Sequence, residues 1–266
     1  MNKNSIIIFF ITTFLWCVIS FPAAGQVENM DTNNSTQEVK NGEWNFITTN
    51  VTGIMLKNYS LQYERVLSKK FSVALQYRIM PTTSLPFQKT ILKIVGDENP
   101  DTKKIIKDFR LSNYAITPEV RFYVGKKGYG RGFYIAPFYR FASFTSNNLN
   151  VFYKDENNVE NSITLSGKLT GNTGGILFGV QKFFGERVVL DIWIFGPHIG
   201  AGKGDFNGIS TRTLTPDEQN IVRQQLEDLD IPFTDKTVEV SANAASLKLD
   251  GLWGGARSGI SIGVRF

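Results

Sequence analysis

Strict alternation of apolar with small or polar residues near the end of the sequence is the feature that most constrains the fold. From position 260 to position 266, every second residue is apolar, and serine, glycine or arginine stands between. A period of two is the side-chain period of a β-strand, so the segment predicts a strand with one apolar face. That face consists of Ile260, Ile262, Val264 and Phe266.

The same alternation recurs along the chain and predicts eight strands. Their predicted bounds are 44–55, 58–67, 70–80, 113–125, 131–144, 163–183, 188–200 and 254–266. Short connections at 68–69, 126–130 and 184–186 alternate with long ones at 81–112, 145–162 and 201–253. Short turns at one end and long loops at the other are typical of outer-membrane β-barrels. The first hairpin departs from this pattern, because only residues 56–57 separate its strands.

Alternation by itself fits two kinds of barrel, and the volume of the apolar face decides between them. A membrane barrel turns this face outward, whereas a lipocalin-like barrel packs it inside. The interior of an eight-stranded barrel is only wide enough to be filled by side chains. Phe71, Leu75 and Tyr77 on one predicted strand, with similar faces on the others, would overfill it. We therefore predict an all-β, eight-stranded antiparallel transmembrane β-barrel with long outer loops, one of which carries a short helix.

The start of the sequence predicts export. Residues 1–25 contain Lys3, a short apolar run and small residues at its end, as expected of a secretory signal peptide. Residues 26–43 are polar and aperiodic, so we expect a disordered periplasmic tail, followed by an outer-membrane barrel at 44–266. The only cysteine, Cys17, falls in the signal peptide, so we expect a mature chain without disulfides or thiolate ligands.

Three stretches, 58–65, 117–122 and 191–198, carry a resemblance to known proteins. The mature chain resembles the small outer-membrane barrels of the OmpX and OmpA-transmembrane-domain type, and more closely a bacterial β-barrel family of unknown function. The resemblance implies an outer-membrane barrel, and the family has no assigned catalytic residues that could be carried over to this sequence. It implies outer-membrane lipids, lipopolysaccharide and the barrel-assembly machinery, which would read the terminal strand, as partners. A formal net charge of +5 is too small to indicate nucleic acid.

Charged residues on the predicted inner faces form the main candidate site. They are Glu64, Arg78, Glu119, Arg121, Arg140, Asp191 and Arg265. One interpretation is an ion path or an acid–base site. The other is a salt-bridge network that closes a narrow interior, because buried charges need partners. We favour the second interpretation, and a narrow solute or ion channel remains the alternative.

Catalysis by the lone histidine, His198, is a weaker hypothesis. Lipid-modifying barrels need a serine nucleophile and an orienting acid beside the histidine. The sequence after His198 lacks a His-x-Ser motif, and the loop residues Asp205 and Ser210 belong to no catalytic signature. One histidine cannot build a zinc site without a carboxylate cluster. We therefore predict a non-enzymatic protein of structural or surface-interaction type, without metal or cofactor.

The long loop at 201–250 is the best candidate for binding a surface ligand or a protein partner. A capping box with proline at the first helical position, at 215–218, predicts a short amphipathic helix over 216–229. The loop has five Lys or Arg against nine Asp or Glu residues. The helix could instead cover the mouth of the barrel with its apolar side. Helical stretches are also expected after Pro86 and Pro100.

Turn positions predict the register of two hairpins. A tight turn at 68–69 pairs Gln62 with Gln76 and Ser60 with Arg78. A hairpin centred on 126–130 places Pro118 opposite Pro137, so we expect one shared interruption of that ladder.

Overall fold

Antiparallel β-sheet dominates the protein. The computed structural model describes residues 45–95, 100–155 and 159–266. Strands make up 68% of the structure, so the all-β prediction is confirmed. The predicted signal peptide and periplasmic tail lie outside the described residues. Within the described ranges, no helix is both long and apolar enough to cross a membrane.

Nine strands and four helices follow one another along the described chain. The strands are β1 (Asn45–Asn50), β2 (Tyr59–Ser68), β3 (Phe71–Thr83), β4 (Arg110–Tyr123), β5 (Gly132–Lys154), β6 (Glu160–Phe184), β7 (Val188–Ile209), β8 (Thr234–Val240) and β9 (Ala244–Arg265). The helices are α1 (Val51–Met55), α2 (Gln88–Val95), α3 (Pro100–Asp108) and α4 (Pro216–Glu227).

Eight of these strands close into a ring. Each of β1 to β6 pairs with the next strand, β7 pairs with β9, and β9 pairs with β1. The short strand β8 lies outside the ring and pairs only with β9. We call the end with the short turns and Phe266 the lower end, and the end with α1 to α4 the upper end.

The ring carries apolar side chains outside and polar side chains inside. On β3, Leu75, Tyr77 and Ile79 are exposed, whereas Ser72 and Gln76 are buried. Exposed large apolar side chains occur on every strand of the ring, for example Ile47, Leu61, Leu75, Ile116, Phe133, Ile176, Ile194 and Ile262. The predicted outward direction of the apolar face is therefore confirmed.

The first strand is shorter than predicted. It ends at Asn50, and the residues predicted to complete it form α1. The cause is local, because Oδ1 of Asn50 accepts hydrogen bonds from Gly53 N over 2.6 Å and from Thr52 Oγ1 over 2.7 Å. Asparagine in this role is a typical helix N-cap. The helix therefore occupies the short first connection.

The later strands are longer than predicted. β5 and β6 continue into the predicted loop 145–162, and β7, β8 and β9 occupy much of the predicted loop 201–253. Helix α4 begins with the predicted capping box at Thr215 and Glu218. It buries Val222 and Leu226 against the upper, inward-facing residues Ile163, Leu165, Ala245 and Leu247. A second apolar core therefore forms at the upper end, where the strands extend beyond the outward apolar band.

The register is as predicted in one hairpin and wrong in the other. β2 and β3 pair Gln62 with Gln76 and Ser60 with Arg78. β4 and β5 pair Glu119 with Phe138, and the ladder skips the positions on either side of this pair. Pro118 and Pro137 therefore lie in two separate interruptions, not opposite each other. The cause is a longer turn, in which Val124 N bonds to Phe133 O over 3.0 Å. A shift by two residues leaves the faces unchanged.

Candidate functional site

Arg121 lies at the centre of the charged interior. It stands on the inner face of β4, and its side chain is fully buried. Its Nη1 atom is 2.8 Å from Oε2 of Glu64, and its Nη2 atom is 3.0 Å from Oδ2 of Asp191. Its Nε atom donates to Oε1 of Glu119 over 2.7 Å. The planar, five-donor guanidinium therefore binds three carboxylates at once.

Uncharged donors complete the hydrogen bonding of two of these carboxylates. Oε1 of Glu64 accepts from the hydroxyl of Tyr123 over 2.7 Å. Oδ1 of Asp191 accepts from the hydroxyl of Tyr134 over 2.8 Å, and its Oδ2 accepts from Trp193 Nε1 over 2.9 Å. Buried carboxylates need such donors, because water is excluded from them. We call Arg121 with Glu64, Glu119 and Asp191 the Arg121 cluster.

Arg257, on β9, links the Arg121 cluster to the upper half of the interior. Its Nη1 atom is 3.1 Å from Oε2 of Glu119, and its Nη2 atom donates to Oε1 of Gln76 over 3.0 Å. The guanidinium lies 4.6 Å from the ring centroid of Phe138 and 4.8 Å from that of Trp193. The side chain is therefore held by one carboxylate, one amide and two aromatic faces.

Arg78 and Arg140 do not join the Arg121 cluster. Arg78 Nη2 donates to the amide oxygen of Asn113 over 3.3 Å. Arg140 is buried, and none of the ion pairs among the described residues includes it. Phe138 links two neighbouring residues, because its ring contacts His198 edge-on and lies 4.6 Å from the guanidinium of Arg257. Arg78 and Arg257 lie within electrostatic range of both Arg140 and His198. We call Arg78, Arg140, His198 and Arg257 the upper basic cluster.

Arg265 lies apart from both clusters, at the lower end of the ring. Its Nε atom donates to the backbone oxygen of Glu186, and its guanidinium lies 5.0 Å from the ring centroid of Phe183. It therefore does not take the predicted place in the interior network, which Arg257 occupies instead. Arg257 was not among the predicted interior charges, although both residues hold odd positions in the last strand and share its inner face.

The predicted assembly signal lies on the outer face of the ring. Ile260, Ile262, Val264 and Phe266 are all exposed. The backbone of Phe266 pairs with Asn45, with its N atom 2.9 Å from Asn45 O and its O atom 3.1 Å from Asn45 N. The last strand is thereby joined to the first through the backbone of Phe266, and Nδ2 of Asn45 also donates to Phe266 O over 3.4 Å.

His198 has no catalytic surroundings among the described residues. Its ring contacts Phe138 edge-on, with 5.9 Å between the centroids. Asp205 and Ser210 bond to other residues of the upper loops and not to the histidine. The described residues also contain no group of His, Cys, Asp and Glu side chains placed to hold a metal ion.

The interior therefore has two parts with different charge balance. The lower part pairs three carboxylates with two arginines, Arg121 and Arg257, and the upper part holds Arg78 and Arg140, for which the described residues show no ion pair. Such packing can close a narrow interior to ions, and it places two positive charges in the upper half without a paired carboxylate in the described ranges. Comparison of the chain with family models, with curated proteins and with solved structures finds no match.

Proposed function

We propose that the protein is an integral outer-membrane β-barrel of structural or surface-interaction type, with a closed interior and no catalytic activity. The observation that carries the proposal is the inverted distribution of side chains in the ring. Large apolar side chains are exposed on all eight strands, and the buried interior contains an ion-pair cluster packed among aromatic side chains. Proteins that stay in water rarely expose contiguous apolar surface beyond a few hundred Å².

The height of the apolar band supports a membrane environment. On β3, apolar side chains occupy every second position of the outer face from Phe71 to Ile79. With a rise of about 3.3 Å per residue and a tilt of roughly 40°, this stretch is about 20 Å tall. Transmembrane barrels carry an outward apolar band of about 25 Å, so the two heights agree.

Closure of the interior supports a structural role over a channel. The Arg121 cluster crosses the interior, since its members stand on β2, β4 and β7, and all four are buried. Above it, α4 and the extended strands form a cap with its own apolar core. Contact with a surface ligand or a partner would take place on this cap.

A charge on the outer apolar face tests the membrane location. Leu75→Arg should lower the stability of the protein in phospholipid vesicles by about 2 kcal/mol, because arginine is costly near the bilayer midplane. Ile209→Arg is the matched control, since Ile209 is also exposed but lies at the upper end of β7. Urea titration of both variants in vesicles gives the comparison. Equal stability of the two variants would contradict the membrane proposal.

Phe266 tests whether the last strand is an assembly signal. The ring is joined at this residue by backbone atoms, so Phe266→Ala should refold in detergent as well as the wild type. In cells, we expect several-fold less heat-modifiable protein in the outer membrane, because the aromatic side chain is exposed and free to be recognised. Phe233→Ala removes a still more exposed ring at the upper end and is the control. Normal assembly of Phe266→Ala would argue against the signal.

A further inference from the structure

The upper basic cluster holds more positive charge than its surroundings neutralise. Arg257 is paired with Glu119, and the other interior carboxylates are bound to Arg121. Arg78 has one neutral acceptor, and no ion pair among the residues that the structure describes includes Arg78 or Arg140. Within these residues, the two guanidinium charges therefore lie inside the ring without a paired carboxylate.

Several donors of the same cluster are buried without an acceptor. They are Nε of Arg78, Nε of Arg257 and Nδ1 of His198, if that nitrogen carries the proton. The hydroxyl of Thr117, on the neighbouring inner face of β4, is also without a partner. Buried polar groups without partners are uncommon in folded proteins and indicate a bound water, ion or ligand. Positive charge together with free donors selects an anion.

A side interruption in the ring lies at the height of the cluster. On the edge of β9 that faces β1, Gly251 pairs with β8 and Ser261 pairs with Asn50 of β1. The residues between them pair with no strand on that edge in the described part of the chain. Arg257 falls within this stretch. Helix α1 lies against it, where Ile260 N donates to Thr52 Oγ1 over 3.3 Å.

The other flank of the interruption leads to Arg78. The ladder between β2 and β1 ends at Gln62, and Ser60 then accepts hydrogen bonds from Thr49 Oγ1 over 2.7 Å and from Asn50 N over 3.3 Å. Ser60 stands opposite Arg78 of β3. Two arginines of the cluster therefore lie on strands beside the interruption or one strand away from it. Here α1, and not a paired strand, lies between the cluster and the outside in the described part of the ring.

We propose that the upper basic cluster is a binding site for a phosphate-class oxyanion. Guanidinium forks bind such anions through paired, charge-assisted hydrogen bonds. A dianion would balance the charges of Arg78 and Arg140 and would give acceptors to the free donors. The phosphate can be a free ion, or it can belong to a lipid headgroup that enters through the side interruption. Only the lipid source rests on the proposed membrane location.

Heat unfolding of the purified full-length protein in a neutral detergent tests the site. Millimolar inorganic phosphate should raise the unfolding midpoint by roughly 4 °C or more, relative to chloride at equal ionic strength. In Arg78→Gln and Arg140→Gln, the dissociation constant for phosphate, measured by calorimetry, should rise about tenfold or more. Arg131→Gln, which removes a half-buried arginine at the lower end, is the matched control and should keep the wild-type affinity.

The same variants give a second readout without any ligand. In phosphate-free, low-salt buffer, Arg140→Gln should unfold at a higher temperature than the wild type, because it removes a repelled buried charge. A lower midpoint would overturn the claim that this charge is uncompensated. An equal response of the wild type to phosphate and chloride would overturn a site for the free ion, and an unchanged phosphate affinity in both cluster variants would overturn the assignment of the site to these arginines.

Phosphatidic acid in the detergent micelles distinguishes the two sources. A shift with inorganic phosphate alone supports a site for the free ion. A shift with phosphatidic acid that is lost in Arg140→Gln supports a site for a lipid headgroup. Absence of a shift with both probes refutes the proposal and leaves the membrane location untouched.

Discussion

Arg121→Ala should destabilise the protein by about 3–5 kcal/mol, because it leaves buried carboxylates without their counter-charge. Arg121 is the one cation in contact with Glu64 and Asp191 among the described residues, and it shares Glu119 with Arg257. Glu119→Gln should destabilise less, since the amide oxygen can still accept hydrogen bonds from both arginines. Urea titration of refolded protein in detergent micelles measures both effects.

Two comparisons make this prediction specific to the cluster. Arg187→Ala removes an exposed arginine beside a lower turn and should be close to neutral. Arg121→Met combined with Glu64→Gln and Asp191→Asn should recover part of the lost stability, because charge and counter-charge disappear together. If Arg121→Ala were as stable as Arg187→Ala, the Arg121 cluster would have no structural role.

The cluster variants also separate a closed interior from a channel. If the Arg121 cluster closes the interior, Glu119→Gln should show no large conductance in planar bilayers, as we expect for the wild type. If instead the wild type conducts ions, and a stable Glu119→Gln protein conducts them equally well, the channel alternative is favoured. The structural interpretation would then be wrong.

Gly263→Ala should prevent closure of the ring. Gly263 stands on β9 opposite Thr48 of β1, in the ladder that joins the last strand to the first. A Cβ atom at this position would lie 1.9 Å from the backbone oxygen of Ile47 and 2.6 Å from Cα of Thr48. Because these are backbone atoms, they cannot rotate away as a side chain could. We expect a loss of about 3 kcal/mol and little heat-modifiable folded protein.

Gly174→Ala is the matched control for this prediction. Gly174 is also a strand glycine of the ring, and a Cβ atom there would meet no atom within 4 Å. Replacing glycine by alanine without a clash tends to stabilise slightly, through the lower entropy of the unfolded chain. Semi-native gel electrophoresis, with and without heating, compares the folded fractions. Similar folded fractions of the two variants would show that close approach at Gly263 is not required.

The two-residue period of the sequence was sufficient to predict the ring, because each residue of a ring strand faces either the outside or the interior. In the ring, one face of every strand is exposed and apolar while the other is buried and polar, so a period of two appears in the sequence. The turn at 68–69 added the register of β2 and β3. The register of β4 and β5 could not be predicted in this way. The turn was predicted at 126–130, but the strands are joined by a longer turn, which is closed by the hydrogen bond from Val124 N to Phe133 O.

The upper extensions of the strands left no such signal. Above the apolar band, residues such as Tyr153 and Ile163 pack against α4 on one face, while the other face is polar or partly exposed. Their strand state depends on pairing with neighbours that are distant in sequence, and β8 exists only because β9 continues upward beside it. The helix α4 itself was predictable, since its capping box is local.

The sequence by itself determined which residues face the interior, because strand phase assigns each charge to one side of the ring. Only the tertiary structure decided which of those charges meet. Contact between two side chains inside the ring depends on their positions along the ring axis and on the register of the eight strands. The alternation of residues along a single strand encodes neither of these. Arg121 therefore binds three carboxylates from β2, β4 and β7, and Arg257 takes the place predicted for Arg265. Arg78 and Arg140 form no ion pair with any acid in the described part of the chain.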